Sequence, residues 1–170
     1  PQEVGDAPPV VALETARKWL ATKAAATKRL RWKSSLPLSI EESGNDVPRG
    51  WTPARVNDTG FYINGLAFKP SDWKSSGLPI IRIQNLTDET KEFNYATGEY
   101  PDEVIVRTGD LLVSWSATLD AFQWTRGTGV LNQHIFRVIP APQLTIKPFL
   151  LLLLRNAIRE MAESEHAHGL

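Results

Sequence analysis

The chain of 170 residues contains no cysteine and one methionine. Without thiols, neither disulfides nor thiolate metal centres can form, which suits a cytoplasmic protein. Long apolar runs are also missing. The longest, Phe149 to Leu154, falls far short of the roughly 20 residues that span a bilayer. The opening PQEVGDAPPV lacks the basic region and apolar core of a signal peptide. The expectation is a soluble chain with no membrane partner. An excess of one charge is absent as well: 19 basic residues face 19 acidic ones, a formal net charge of zero, which argues against a generic nucleic-acid coat.

The distribution of charge is less even. Val10 to Lys33 carries Arg17, Lys18, Lys23, Lys28, Arg29, Arg31 and Lys33 against Glu14 alone. Arg49 to Arg82 is also net basic, whereas Ile83 to Glu103 sets Lys91 against Asp88, Glu89, Glu92, Glu99, Asp102 and Glu103. A protein that meets phosphates with one face has this pattern, and so does an ordinary neutral protein.

Read in order, residues 1–9 form a Pro- and acid-containing lead-in, expected to be disordered. Residues 10–34 have helical periodicity, with Leu13, Ala16, Leu20, Ala24, Thr27 and Leu30 in one stripe and most basic residues opposite. Its basic face either touches DNA phosphates or is the solvated side of a helix that packs against the body or another subunit. Residues 35–48, rich in Pro, Ser, Gly and Asn, read as a linker that sets the helix apart. Residues 49–170 form the main domain. In it, Phe61 to Phe68 reads as a strand interrupted at Asn64-Gly65, Lys69 to Lys74 as a turn, Ile80 to Ile83 as a short strand entering Gln84-Asn85, and Thr87 to Pro101 as a long acidic loop.

Ile105 to Pro140 then gives three consecutive strands. The turn signal Thr108-Gly109-Asp110 opens the first, with Leu111, Val113 and Trp115 on one face. Leu119 to Trp124 is the second, followed by a turn at Arg126-Gly127-Thr128-Gly129. Leu131 to Ile139 is the third, with His134 inside it as a structural residue. Pro148 marks a helix start, and Phe149 to Ser164 reads as the helix. The fold class is α+β: a twisted, mainly antiparallel β-sheet domain with a packed C-terminal helix, preceded by a separate amphipathic α-helix.

Catalytic patterns are incomplete. Asp72 with Glu89-Thr90-Lys91 imitates a metal-dependent nuclease, but its second acid and its lysine lie in a polar, turn-like run rather than on a strand. Gly127-Thr128-Gly129 precedes a strand, not the helix that a methyltransferase cofactor loop requires. The expectation is no catalytic residue, no metal ligand and no intrinsic activity.

The run GDLLVSWSATLDAFQW (Gly109 to Trp124), followed by GVLNQHIFRV (Gly129 to Val138), preceded by GLPIIRIQNL (Gly77 to Leu86) and Gly50-Trp51, resembles a target recognition domain. Such domains belong to specificity subunits of type I DNA restriction-modification systems. The resemblance spans roughly Pro48 to Leu170, a single copy, where it implies that a second helical connector and recognition domain would follow. It implies a non-catalytic, DNA-binding subunit that directs a methyltransferase (modification) subunit and a restriction/translocase subunit, with a second copy of itself as a further candidate partner. S-adenosylmethionine, ATP and magnesium are then expected on those partner subunits, with no cofactor in this chain. The implied ligand is double-stranded DNA, expected to be read from the major groove while phosphate contacts fix position. Residue chemistry and loop placement nominate Gln84, Asn85, Gln123 and Arg126 for bases, and Lys69, Lys74, Arg82 and Arg107 for phosphates. A module that only binds proteins, through the basic and leucine-rich helices, is the alternative from another class.

Overall fold

The computed structural model describes residues 8–27 and 48–167. Most of the lead-in, residues 28–34 of the expected helix and most of the expected 35–48 linker lie outside the described residues. These residues form two compact units, one running up to Phe61 and including Ile139–Leu150, the other comprising Tyr62–Val138 and the chain from Leu151 onward.

In the first unit, helix α1 spans Pro9–Ala26, with proline in its first turn, where a missing N–H costs nothing. Of the described residues in the expected stripe, Leu13 and Ala16 are buried, Leu20 and Thr27 half-buried and Ala24 exposed. Arg17 is not simply part of a solvated face. Its Nε and Nη2 donate to Asp58 Oδ1 and Oδ2 at 3.0 and 2.9 Å. Asp58 closes the 3-10 turn Val56–Asp58, where Oδ2 also accepts the Arg55 N–H. The helix is thus joined to the stretch after the linker, because a buried carboxylate needs a counter-charge.

The Arg17 guanidinium, helped by the Arg55 N–H, holds the Asp58 carboxyl below the usual carboxylate range, although burial acts the other way. A lowered folded pKa means stability that is present above the unfolded value, near ~3.9, and lost as pH falls through the folded one. Arg17→Ala is expected to cost about 1–2 kcal/mol near neutrality. The difference from wild type should shrink below about pH 3. Denaturant unfolding across pH checks this; a difference independent of pH would show that the ion pair is not its source.

In the second unit, the strands are β1 (Gly60–Asn64), β2 (Leu78–Ile81), β3 (Asn94–Ala96), β4 (Ile105–Val106), β5 (Leu111–Ser116), β6 (Thr118–Gln123), β7 (Gly129–Leu131) and β8 (Ile135–Pro140), with the ends of β1 and β8 passing into the first unit. They make two four-stranded sheets, ordered β1-β8-β5-β6 and β3-β2-β7-β4. The α+β class holds. Pairings β2–β3, β4–β7, β5–β6 and β5–β8 are antiparallel, and β2–β7 is parallel. Helix α2 is short (Ile83–Thr87), and α3 runs from Lys147 to Ala167.

Three sequence expectations change. The third strand is two strands, β7 and β8, in different sheets, because the chain must cross from one to the other at residues 132–134. His134 lies in that turn with φ 73°, not inside a strand. Its carbonyl accepts the Trp115 N–H, while Asn132 donates to Ile81 O and Gln133 to Leu66 O, so the crossover keeps its backbone paired. Ile83, expected to end the strand that enters Gln84-Asn85, instead begins helix α2 over residues 83–87. The acidic stretch after Thr87 hides β3, which pairs Leu78↔Ala96 and Ile80↔Asn94.

Both sheets feed one core: Leu112 and Ile135 from the first, Ile81, Val106 and Leu131 from the second, and Trp124 between strands, with Ile83, Leu86 and Phe93 against it. The residue types explain the close approach of β7 to β2. A Cβ on Gly129 would stand 2.8 Å from Pro79 O, so only glycine fits there.

Candidate nucleic-acid interface

Asn85 is buried and its side chain is fully engaged. Its Oδ1 accepts the Arg82 N–H at 3.1 Å, and its Nδ2 donates to the carbonyls of Lys91 and Glu92 at 3.2 Å each. It therefore starts α2 and closes the following loop, as a polar residue at the third helical position does, and leaves no edge for a base. The sequence signal is an asparagine three residues after Arg82, where the chain leaves β2.

Around Asn85, other nominated residues come together. Arg126 Nη1 donates to Asn85 O at 3.3 Å, and its guanidinium lies over the Phe93 ring at 4.3 Å and near Trp124 at 6.0 Å. Arg82 Nη1 donates to Asn94 Oδ1 at 3.0 Å, with its guanidinium over the Trp73 ring at 5.2 Å. Lys74, exposed beside Trp73, is held by its N–H on Tyr95 O at 2.9 Å, so it borders β3. Gln84 is half-buried on α2. The turn at 107–110 adjoins the one at 125–128, since Gly127 N–H donates to Thr108 Oγ1 at 3.1 Å and Gly109 N–H to Trp124 O at 2.7 Å. Thus Lys74, Arg82, Gln84 and Arg126 gather around α2 and β3. Phe93 and Asn94, absent from the sequence nominations, prove to be the residues that hold the two arginines.

The remaining candidates stand differently. Arg107 is exposed but paired with Asp102 at 2.6 Å, and its guanidinium keeps the Asp102 carboxyl below the usual range. A phosphate there would have to compete with that carboxylate. Lys69 is exposed, and its N–H donates to Asp72 Oδ2 at 2.7 Å, shaping the turn Pro70–Asp72. Gln123 is exposed at the end of β6.

The nuclease-like residues do not assemble. Asp72 is spent on its own turn, and Lys91 pairs with Asp88 at 3.8 Å rather than serving Glu89. Asp88 is occupied by the Thr90 hydroxyl and N–H, which lower its pKa. Among the described residues no group of three or more His, Cys, Asp or Glu could hold a metal ion, and no helix is long and apolar enough to cross a membrane.

No family model matches the chain. In sequence it is similar to the type I restriction enzyme EcoBI specificity subunit of Escherichia coli, 27% identical over 103 residues, covering 59% of this chain and 20% of that protein. In fold it is similar to the HsdS subunit of Thermoanaerobacter tengcongensis, with a TM-score of 0.53, 18% identity and coverage of 89% of this chain and 36% of the other. A chain from a structure concerned with complex assembly and conformational transition of the type I R-M system gives a TM-score of 0.54 at 17% identity, with the same coverage. The chain thus spans a fifth of the sequence relative and about a third of each solved chain. Likeness in sequence and likeness in fold point the same way as the blocks from Gly77 to Val138: the chain resembles a target recognition domain of a type I restriction-modification specificity subunit.

Proposed function

We propose that this chain reads a short duplex DNA sequence as the non-catalytic recognition module of a type I restriction-modification system, directing methyltransferase and restriction/translocase subunits to the site. The observation that carries the reading is the gathering of Lys74, Arg82, Gln84 and Arg126 around α2 and β3 in a chain whose relatives are specificity subunits. Forked and amide side chains there can address base edges, and a lysine can address the backbone. S-adenosylmethionine, ATP and magnesium belong, on this reading, to the partner subunits. Selection of bound sequences from a random duplex pool, with the methyltransferase subunit present, tests it. Enrichment of one sequence is expected; a pool that stays random would overturn the reading.

Lys74 gives a sharper check. As a flexible exposed charge it should contact phosphate, so Lys74→Ala should weaken all duplexes alike and reduce the salt slope by about one unit. Binding curves at several salt concentrations on selected and scrambled duplexes decide it. An unchanged slope removes Lys74 from the interface.

A further inference from the structure

Arg82 and Arg126 are held by the same device. Each guanidinium lies over an aromatic ring, Trp73 for Arg82 and Phe93 for Arg126, and each is tethered through Nη1 alone. Tethering Nη1 leaves Nε–H and Nη2–H, which point in parallel along one side of the planar group. Both arginines also hang on Asn85. Its side chain fixes the Arg82 backbone, its carbonyl takes Arg126, and its Nδ2 bonds to Lys91 and Glu92 set the loop that delivers Phe93.

A phosphate can be met by a fixed fork or by a mobile lysine acting as a point charge. A guanine presents a planar target. Its O6 and N7 form a pair of acceptors that a fixed side-on fork matches in the major groove. We infer that Arg82 is a second base reader alongside Arg126, the two forming a pair of guanidinium forks beside α2 that select a duplex with two guanines, and that Trp73 and Phe93 are positioning residues for them. This rests on the DNA-reading function proposed above and replaces the phosphate role first assigned to Arg82.

The test uses the chain assembled with the methyltransferase subunit and the duplex enriched from the random pool. Replacing each guanine in turn with 7-deazaguanine removes N7 and leaves the phosphates unchanged. Two positions should each lose affinity by up to roughly 5- to 150-fold, the range for one whole bidentate contact, of which O6 keeps a part. Arg82→Ala should remove the sensitivity at one of them and Arg126→Ala at the other. Phe93→Leu and Trp73→Leu should lower discrimination with no change in salt slope, and Phe93→Tyr should restore it. If Arg82→Ala weakens selected and scrambled duplexes equally and lowers the salt slope, Arg82 is a phosphate contact and the inference is wrong while DNA reading stands. If wild type is indifferent to every 7-deaza substitution in a duplex it still prefers, the fork pair is likewise refuted. If no duplex is preferred, the DNA-reading proposal fails, and the inference with it. The wild-type measurements decide even where an alanine variant does not fold.

Discussion

Arg137→Ala is expected to cost about 3–5 kcal/mol of unfolding free energy, the scale of a buried ion pair deprived of one partner. Arg137 Nε lies 3.0 Å from Asp110 Oδ2, with side chains 15% and 12% exposed. Its Nη1 reaches Asp102 O and Glu103 O at 3.1 and 3.3 Å, joining β8 to the turn before β4. Asp110 cannot move out to water, because Oδ2 also accepts the Arg107 N–H and its backbone is locked to Trp124. Removing the guanidinium takes the counter-charge at 3.0 Å from a largely desolvated carboxylate. The double variant Arg137→Ala with Asp110→Asn should recover part of the loss, since the amide carries no uncompensated charge. Denaturant unfolding of the three variants gives the coupling. A loss under about 1 kcal/mol for Arg137→Ala would mean that solvent screens the pair as it does at a surface.

That pair also shows what the sequence disclosed and what it withheld. Thr108-Gly109-Asp110 was legible as a turn because glycine tolerates the positive φ it adopts there, 89°. The β5–β6 hairpin was legible from alternation, and α3 from Pro148. These are local signals, fixed by the two- or four-residue period of the elements themselves. The break between β7 and β8 was not legible. No glycine or proline marks residues 131–139, and the turn uses His134 at positive φ, a conformation sustained by the demand of two sheets for one chain. The site divides along the same line. The blocks that carry the family resemblance supply scaffold: Asp110 closes a turn, Leu112 and Trp124 fill the core, and Gly129 lets two strands meet. Residues that could face DNA lie outside those roles, so their chemistry could be guessed but not their partners. Asn85 has donors and acceptors that the fold itself consumes, while Phe93 carries no local signal in an acidic stretch, because only β3 pairing brings it under Arg126.

Trp124 is where core and site meet, and Trp124→Ala is expected to cost about 3–5 kcal/mol, the range for removing a large buried aromatic. It is 3% exposed and packs with Ile81, Val106, Leu112, Leu131 and Ile135, so its loss opens a void that both sheets line. The milder Trp124→Phe separates two contributions. It retains most of the ring contact but loses the indole N–H, which donates to Gly127 O at 2.7 Å and pins the turn that presents Arg126. Gly127 is exposed, so water can satisfy its carbonyl, and the stability cost should be only about 1–2 kcal/mol. The turn should nevertheless loosen. The Phe93 ring stands edge-on to Trp124 with centroids 6.1 Å apart, and Arg126 lies over Phe93, so a shift at position 124 reaches the guanidinium through one intervening ring. On the proposed function, Trp124→Phe should therefore lower discrimination between selected and scrambled duplexes while leaving the salt slope as it was, because the proposed phosphate contact, Lys74, is held on β3 and not on this turn. Unfolding curves and binding on both duplexes measure the two effects separately. Unaltered discrimination in a folded Phe variant would show that the turn holds Arg126 without the indole tether, and a cost below about 1 kcal/mol for Trp124→Ala would show that the site tolerates the void.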